Sequence, residues 1–363
     1  EPVPMPAVVE LLLMEVVFEL IREAGARIPG IIGPTVGLVA SLVLGQAAVE
    51  ARVVSPITIL VVAVTGLASF TMPNYLTSWG IRTYRFLLLM ATTVLGFLGM
   101  AAGVFFVLVY ALSIPLWVLN AIYPVKLPVD NLPVTDIVAT FTPAIAASIL
   151  VYREERLSGV KSLLKRAFDY RRITKKVWYI PILFLMPFIY VLTYGIMRLF
   201  GLPVPTAWSP PLTTPLLFIA FFLAAAGEEL GYTGYVTDPM QARYTALTAS
   251  LIIGFIHAVW HIPSAVSIGY TPGLYIWGVI VLGVTFRILT VWIYNNAGKS
   301  VFAAILFHAV TNTGRSIFPG SRSAFELYDG AIGYGLIAIA TVIVVYLWGY
   351  KTLTRFRYAR DEA

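Results

Sequence analysis

The chain has 363 residues, of which 59% are hydrophobic and only 12% charged, about half the charged share of an ordinary soluble domain. It contains no cysteine, which excludes disulfides, thiolate-bound metal and a thiol nucleophile. The net charge of +7 is gathered in short clusters beside apolar runs, a pattern of cytoplasmic loops and anionic headgroups that argues against nucleic acid as a partner.

From the N-terminus, Val8 to Ala24 mixes Leu11, Leu12, Leu13, Val16, Val17 and Phe18 with Glu10, Glu15, Glu19, Arg22 and Glu23. Helical spacing places Glu15, Glu19 and Glu23 on one face, which predicts an amphipathic helix lying on or against a membrane. Apolar spans are expected at about 31–49, 54–72 and 84–112. Gly33, Gly37 and Gly45 allow close helix approach, Gln46 is expected to hydrogen-bond between helices, and Pro73 ends a span. Pro115, Pro124, Pro128 and Pro133 then break the helical pattern and predict an extended connector, with the domain boundary at 126–134. Beyond it lie predicted spans near 135–152, 178–199, 214–236, 246–268, 274–294, 300–314 and 331–351.

Nine of the 25 Lys and Arg residues fall between Arg153 and Lys176, and Lys351, Arg355, Arg357 and Arg360 close the chain. The first cluster predicts a basic amphipathic cytosolic segment, and counting spans in both directions from it puts both termini in the cytosol. The stretch from Gly201 to Pro215 holds five prolines and no charge, which suits the opposite side. The chain opens on Glu1 with no signal peptide, so further native residues are expected before it. The reading is therefore an all-α, polytopic transmembrane helical bundle in two membrane modules. Residues 1–125 form the first and 135–352 the second, with 126–134 as connector and 353–363 as a basic cytosolic tail.

The chemistry lies in the second module. Glu228 and Glu229 sit side by side after the apolar run Leu216–Gly227, and all three histidines of the chain, His257, His261 and His308, follow in apolar segments. A charged side chain at bilayer depth costs roughly 2.5–3.5 kcal/mol on insertion scales, so ionisable groups there mark function. Spacing of four puts His257 and His261 on one helix face, and His308 and Asn312 on another. Three helices thus offer carboxylates, imidazoles and an amide to a common interior. A peptide hydrolase needs that inventory, a base to activate water and donors to hold the tetrahedral oxyanion. The same residues leave a second reading open, in which His257, His261 and Glu228 form the three-ligand open site of a zinc hydrolase. The sequence is not HExxH, because Ala258 follows His257.

Three pieces, Gly227-Glu228-Glu229-Leu230-Gly231-Tyr232-Thr233, Phe255-Ile256-His257-Ala258-Val259-Trp260-His261-Ile262-Pro263 and His308-Ala309-Val310-Thr311-Asn312, resemble the motifs of the CAAX-prenyl protease and bacteriocin-processing (CPBP) family of intramembrane glutamate proteases. The resemblance covers about residues 133 to 350. It implies that Glu228 is the water-activating carboxylate with His261 as its partner, that His308 and Asn312 stabilise the oxyanion, and that Glu229 supports. It implies no cofactor, and a peptide or membrane-protein substrate. Two positions depart from the pattern. Thr233 stands where the family has Arg, and His257 where an aromatic is usual and where it could serve as an additional site residue. Without the arginine, the expectation is a carboxylate pair lacking a cation, with weak or alkaline-shifted hydrolysis that Thr233→Arg improves.

The first module resembles the membrane domain of GerA-type spore germinant receptor A-subunits over about residues 5–125. The match rests on Arg22-Glu23-Ala24-Gly25, Ile32-Gly33-Pro34, Leu44-Gly45-Gln46-Ala47-Ala48-Val49-Glu50-Ala51, Val54-Ser55-Pro56, Ala68-Ser69-Phe70, Pro73-Asn74-Tyr75, Arg82 and Arg85-Phe86. It implies a bacterial cell membrane or spore inner membrane, and germination receptor subunits as candidate partners. Two functions stand: an intramembrane endopeptidase associated with spore germination, and a catalytically weak or inactive receptor-like subunit that acts by binding partners.

Overall fold

The computed structural model describes residues 3–28, 32–68, 75–126, 133–202, 204–206, 210–267, 269, 276–319 and 331–354. Among them the structure is helical, with an isolated bridge between Lys126 and Pro133 in place of any sheet. Five helical stretches are long and apolar enough to cross a bilayer: Ala102–Ile122, Val134–Phe168, Lys176–Leu199, Thr214–Gln241 and Ala246–Ser267. The protein is a multi-pass helical membrane protein. Pro73, Pro128 and the tail residues 355–363 lie outside the described residues.

The chain divides into two compact units, Glu1–Val104 and Phe105–Ala363. In the first, helices Ala7–Ala26, Ile32–Glu50 and Pro56–Ala68 pack on one another around Met14, Phe18, Val54 and Val62. A Cβ on Gly33 would stand 2.3 Å from the Gly25 carbonyl oxygen, so this helix pair can approach only without that side chain. A Cβ on Gly45 would stand 3.2 Å from the Ile59 side chain, tighter than an ordinary contact but against a side chain and not backbone.

Two expectations for this unit are corrected. The face predicted for Glu15, Glu19 and Glu23 is not uniformly solvated, because a tertiary partner draws Glu15 inward, and Glu10, off that face, is drawn inward as well. Glu10 is buried and accepts from the Ser55 N–H at 2.8 Å and the Thr58 hydroxyl at 2.9 Å, at the start of the Pro56–Ala68 helix. Glu15 is buried against Arg85, whereas Glu23 is exposed and pairs with Arg27 one turn on, at 3.1 Å. Gln46, expected to bond between helices, is exposed and donates to Glu50 at 3.1 Å on its own helix.

The long helix Tyr75–Ile122 is broken at Gly96, whose φ of 61° and ψ of −154° are non-helical. Its last part belongs to the second unit. Phe105 packs edge-on against Tyr232, the Tyr110 hydroxyl donates to the Ile256 carbonyl at 3.0 Å, and the Trp260 ring N–H donates to Ser113 at 2.8 Å. The compact boundary therefore falls within this helix, at Val104–Phe105, and not in the proline connector.

In the second unit the helix Thr214–Gly231 packs on Val301–Ser316 and on Thr142–Lys165, and Ala246–Trp260 packs on Leu282–Asn296. Glycines set two of these approaches. A Cβ on Gly231 would lie 2.6 Å from the Pro143 backbone, and one on Gly227 would lie 2.5 Å from the Thr140 carbonyl oxygen. The basic segment does more than face solvent. Arg166 donates to the Gly234 carbonyl at 2.6 Å and to the Tyr294 hydroxyl at 2.8 Å. Asp169 accepts from Ser300 Oγ at 2.7 Å and the Phe302 N–H at 3.0 Å, which caps and orients the Val301–Ser316 helix.

Candidate active site

The carboxylate pair ends the helix Thr214–Gly231, and the next six residues, Tyr232–Thr237, form a π-helical turn in which the Thr237 hydroxyl reaches back to the Tyr232 carbonyl at 2.8 Å. Such wide turns recur at functional positions because they re-aim side chains within a continuing helix. Here both carboxylates turn inward, Glu228 at 5% exposure and Glu229 at none.

The residues singled out from the sequence meet around Glu228 and Glu229. His257 Nε2 lies 3.0 Å from Glu228 Oε2, His308 Nε2 lies 3.9 Å from the same oxygen, and His308 Nδ1 lies 2.9 Å from Glu229 Oε1. Ligand atoms of Glu228, His257 and His261 fall within 4.8 Å of one another. His261, half-buried at the end of its helix, packs its ring 4.9 Å from that of His257 and 4.8 Å from Trp260. Of the three imidazoles, His257 and not His261 makes the short contact to Glu228. That contact is not aligned as a hydrogen bond, and Glu228 Oε2 has no aligned partner among the described residues. The oxygen keeps lone-pair capacity for a proton.

A cavity of about 330 Å³ opens beside the cluster, a size suited to a small ligand or part of a peptide. Glu228, His257, His261, His308 and Asn312 line it together with apolar residues such as Phe221, Leu282 and Phe286. The predicted i, i+4 pairs thus share one interior, and Asn312 stands one turn beyond His308 on the same wall.

The expectation that the carboxylates lack a cation is overturned. Arg287, fully buried on the helix Leu282–Asn296, grips Glu229 with both ends of its guanidinium: Nη1 to Oε2 at 2.7 Å and Nη2 to Oε1 at 3.2 Å. Thr233 joins the same knot, donating its hydroxyl to Glu229 Oε2 and accepting from Arg287 Nη1 at 3.2 Å. The expectation failed because spacing along one helix carries no information about a helix 58 positions away. A sequence signal existed, since an arginine inside the apolar run Val284-Thr285-Phe286-Arg287-Ile288-Leu289 marks function by the same cost that marked the glutamates.

The donor set of Glu228, His257 and His261 suits zinc in kind, but the surroundings of His257 do not. Arg287 Nη2 lies 3.1 Å from His257 Nδ1, and a guanidinium can only donate. Nδ1 must therefore accept, which places the ring proton on Nε2, the nitrogen facing Glu228. A zinc ligand needs its lone pair there and ordinarily donates its other ring N–H to a carboxylate or carbonyl. The residues present do not fit a metal bound through His257.

The fold and this site define a polytopic helical membrane protein with a buried carboxylate–imidazole centre. Comparison with known proteins divides it in sequence as well. Residues 1–124 match the family of Bacillus/Clostridium GerA spore germination proteins, and residues 210–314 match the type II CAAX prenyl endopeptidase Rce1-like family. Both glutamates, all three histidines, Asn312, Thr233 and Arg287 fall within the second match. The chain is 46% identical over 114 residues to spore germination protein KA of Bacillus subtilis, covering 31% of this chain and 21% of that one. It is 50% identical over 99 residues to spore germination protein A1 of the same organism, 27% and 20% of the respective chains. It is 34% identical over 170 residues to spore germination protein GerLA of Bacillus cereus, 47% and 31%. The chain thus spans between about a fifth and a third of the length of these relatives, and joins a GerA-like segment to an Rce1-like one. The GerA match reaches residue 124, so the apolar helix through Ile122 is receptor-like in sequence yet packs with the second unit.

Proposed function

We propose that the second unit is an intramembrane endopeptidase of the glutamate type, working in a membrane protein associated with spore germination. The observation that carries this reading is the convergence of Glu228, His257, His261, His308 and Asn312 on one cavity, with Glu228 Oε2 free to take a proton. In the proposed reaction Glu228 accepts a proton from water as the water oxygen bonds to the scissile carbonyl carbon. Asn312 holds the resulting oxyanion, joined by His308 in its doubly protonated form, since Glu229 already takes up the His308 Nδ1–H and Nε2 donates only when it too carries a proton. The carbon–nitrogen bond then breaks and the proton passes from Glu228 to the leaving amine. His261 faces the same water from the cavity side, and no metal takes part. Substrate is a peptide or membrane protein entering a cavity that opens toward the cytosol, and the address is a bacterial cell membrane or spore inner membrane.

The test is cleavage of a peptide panel by the full chain purified in detergent, comparing the native protein with Glu228→Ala. Cleavage by the native chain only, retained in strong chelator and without stoichiometric zinc, is the expected result. Zinc held at one per chain and lost together with activity in His257→Ala sinks the metal-free mechanism. The receptor-like first unit favours a second reading, a catalytically weak or inactive subunit that acts by binding germination receptor subunits. That reading takes over if no peptide is cut while both the native chain and Glu228→Ala assemble with such partners.

A further inference from the structure

We propose that Arg287 is a positioning residue for this hydrolysis, a cation relocated to a neighbouring helix that locks both Glu229 and the tautomer of His257. The proposal rests on the peptidase reading and goes beyond its motif residues. Four contacts converge on one fully buried guanidinium: two to Glu229, one to the Thr233 hydroxyl and one to His257 Nδ1. Tyr232 closes the remaining face, its ring centre 5.3 Å from the guanidinium carbon. A forked, planar, permanently charged donor can hold a carboxylate and an imidazole at once, which a lysine ammonium cannot do with the same geometry.

The backbone is shaped to admit this side chain. Gly254, on the His257 helix, faces the Arg287 Cβ, and a Cβ there would come within 3.0 Å of it. Thr233 is small enough to leave room for the guanidinium and still bonds both it and Glu229. Arg287 and Thr233 together therefore satisfy Glu229 from two helices where the family pattern uses one arginine. The same arginine forces His257 to present Nε2–H to Glu228, so His257, absent from the family pattern, becomes the imidazole poised over the base. Two guanidiniums cannot share this pocket without repulsion. Thr233→Arg in the native background should thus impair the site, the reverse of the sequence expectation.

Two readouts test the proposal. In the peptide assay, Arg287→Met should lower kcat by about 10²-fold with KM little changed, the scale of a misplaced reacting group. Arg287→Lys should recover part of the loss, and Thr233→Arg combined with Arg287→Met should recover at least about tenfold over Arg287→Met alone, because a guanidinium again reaches Glu229. The second readout needs no substrate. The chain has three histidines, so nitrogen-15 spectra of histidine-labelled protein resolve His257 by its loss in His257→Gln. His257 is expected as the single Nε2–H form in the native protein and as a mixture in Arg287→Met. A native His257 in the Nδ1–H form overturns the proposal. So does an Arg287→Met protein that folds, keeps native kcat and leaves the His257 signals unmoved. If the native chain and Glu228→Ala both cut nothing while His257 shows the arginine-dependent tautomer, the peptidase reading fails and the structural assignment of Arg287 stands.

Discussion

Glu228 and Glu229 are adjacent in sequence but differ in what surrounds them, and their roles follow from that. Glu229 is saturated by Arg287, Thr233 and His308, which leaves it little capacity to exchange protons and makes it a fixed anchor. Among the described residues Glu228 forms its close polar side-chain contacts with imidazoles, that to His257 off-axis, and it borders the cavity. Replacing Glu228 by Gln should therefore remove a general base, a loss of about 10²–10⁴-fold in rate with folding intact, measured by cleavage and thermal unfolding side by side. Asn312→Ala should cost about 10²–10³-fold if its amide holds the oxyanion, again without a matching loss of stability. A residue of the first unit carries a different prediction. The Ser55 N–H, with the Thr58 and Ser55 hydroxyls, holds the Glu10 carboxyl below its ordinary range. A lowered folded-state value means that the stabilisation is present above the unfolded carboxylate range and is lost as pH falls through the folded value. Amide protection at the start of the Pro56–Ala68 helix, corrected for the intrinsic pH dependence of exchange, should fall on acidification of the native chain, and a Glu10→Gln variant should lack that acid step.

At the scale of elements, glycines and one π turn place the helix that carries Glu228. Gly227 and Gly231 flank the carboxylates and sit against the backbone at Thr140 and Pro143, so the helix Thr214–Gly231 is held at a distance no larger side chain permits. Gly231→Ala would put a methyl 2.6 Å from that backbone, and forcing the helices apart should destabilise by about 1–3 kcal/mol. Because Glu228 rides on the same helix, cleavage should fall more steeply than stability, which parallel unfolding and activity curves would show. Of the helices that carry Arg287 and His308, Leu282–Asn296 continues without a break from the π-helical turn Ile276–Val281, whereas Val301–Ser316 has 16 residues, short of the roughly 20 needed to cross hydrocarbon. Their burial against longer neighbours shelters the arginine, and the Asp169 cap at the start of the second one fixes its axis.

For the whole molecule, the proposed orientation puts the basic segment 153–176 and both termini in the cytosol and the stretch 201–215 outside. A chain without native cysteine makes this directly measurable. A single cysteine at Lys161 should react in intact cells only with a membrane-permeant maleimide, and one at Thr206 with an impermeant reagent as well. The reverse pattern would invert the topology and move the cavity mouth to the other side. The junction of receptor-like and protease-like sequence near residue 124 also differs from the compact boundary at Val104–Phe105. The helical segment after Val104 packs Phe105, Tyr110, Ser113 and Trp117 into the second unit, so cutting the chain at the sequence junction would remove that segment from its packing partners, whereas cutting at 104 would leave it with them.

Local pattern alone determined the class of this protein. Apolar runs, clustered basic residues and the prohibitive cost of intramembrane charge identified a multi-pass protein and singled out Glu228, Glu229, His257, His261 and His308, and a helical period of four joined Asn312 to the last of these. These signals survive in a sequence because they act within one helix, over one or two turns. What the tertiary structure decided is who meets whom. Arg287 reaches Glu229 across 58 positions and His257 across 30, Glu15 finds Arg85 across 70, and Glu10 caps a helix 45 residues on. A carboxylate's charge is stabilised by whatever donor lies within about 3 Å, and that distance is set by how helices pack, not by how residues are spaced along one of them.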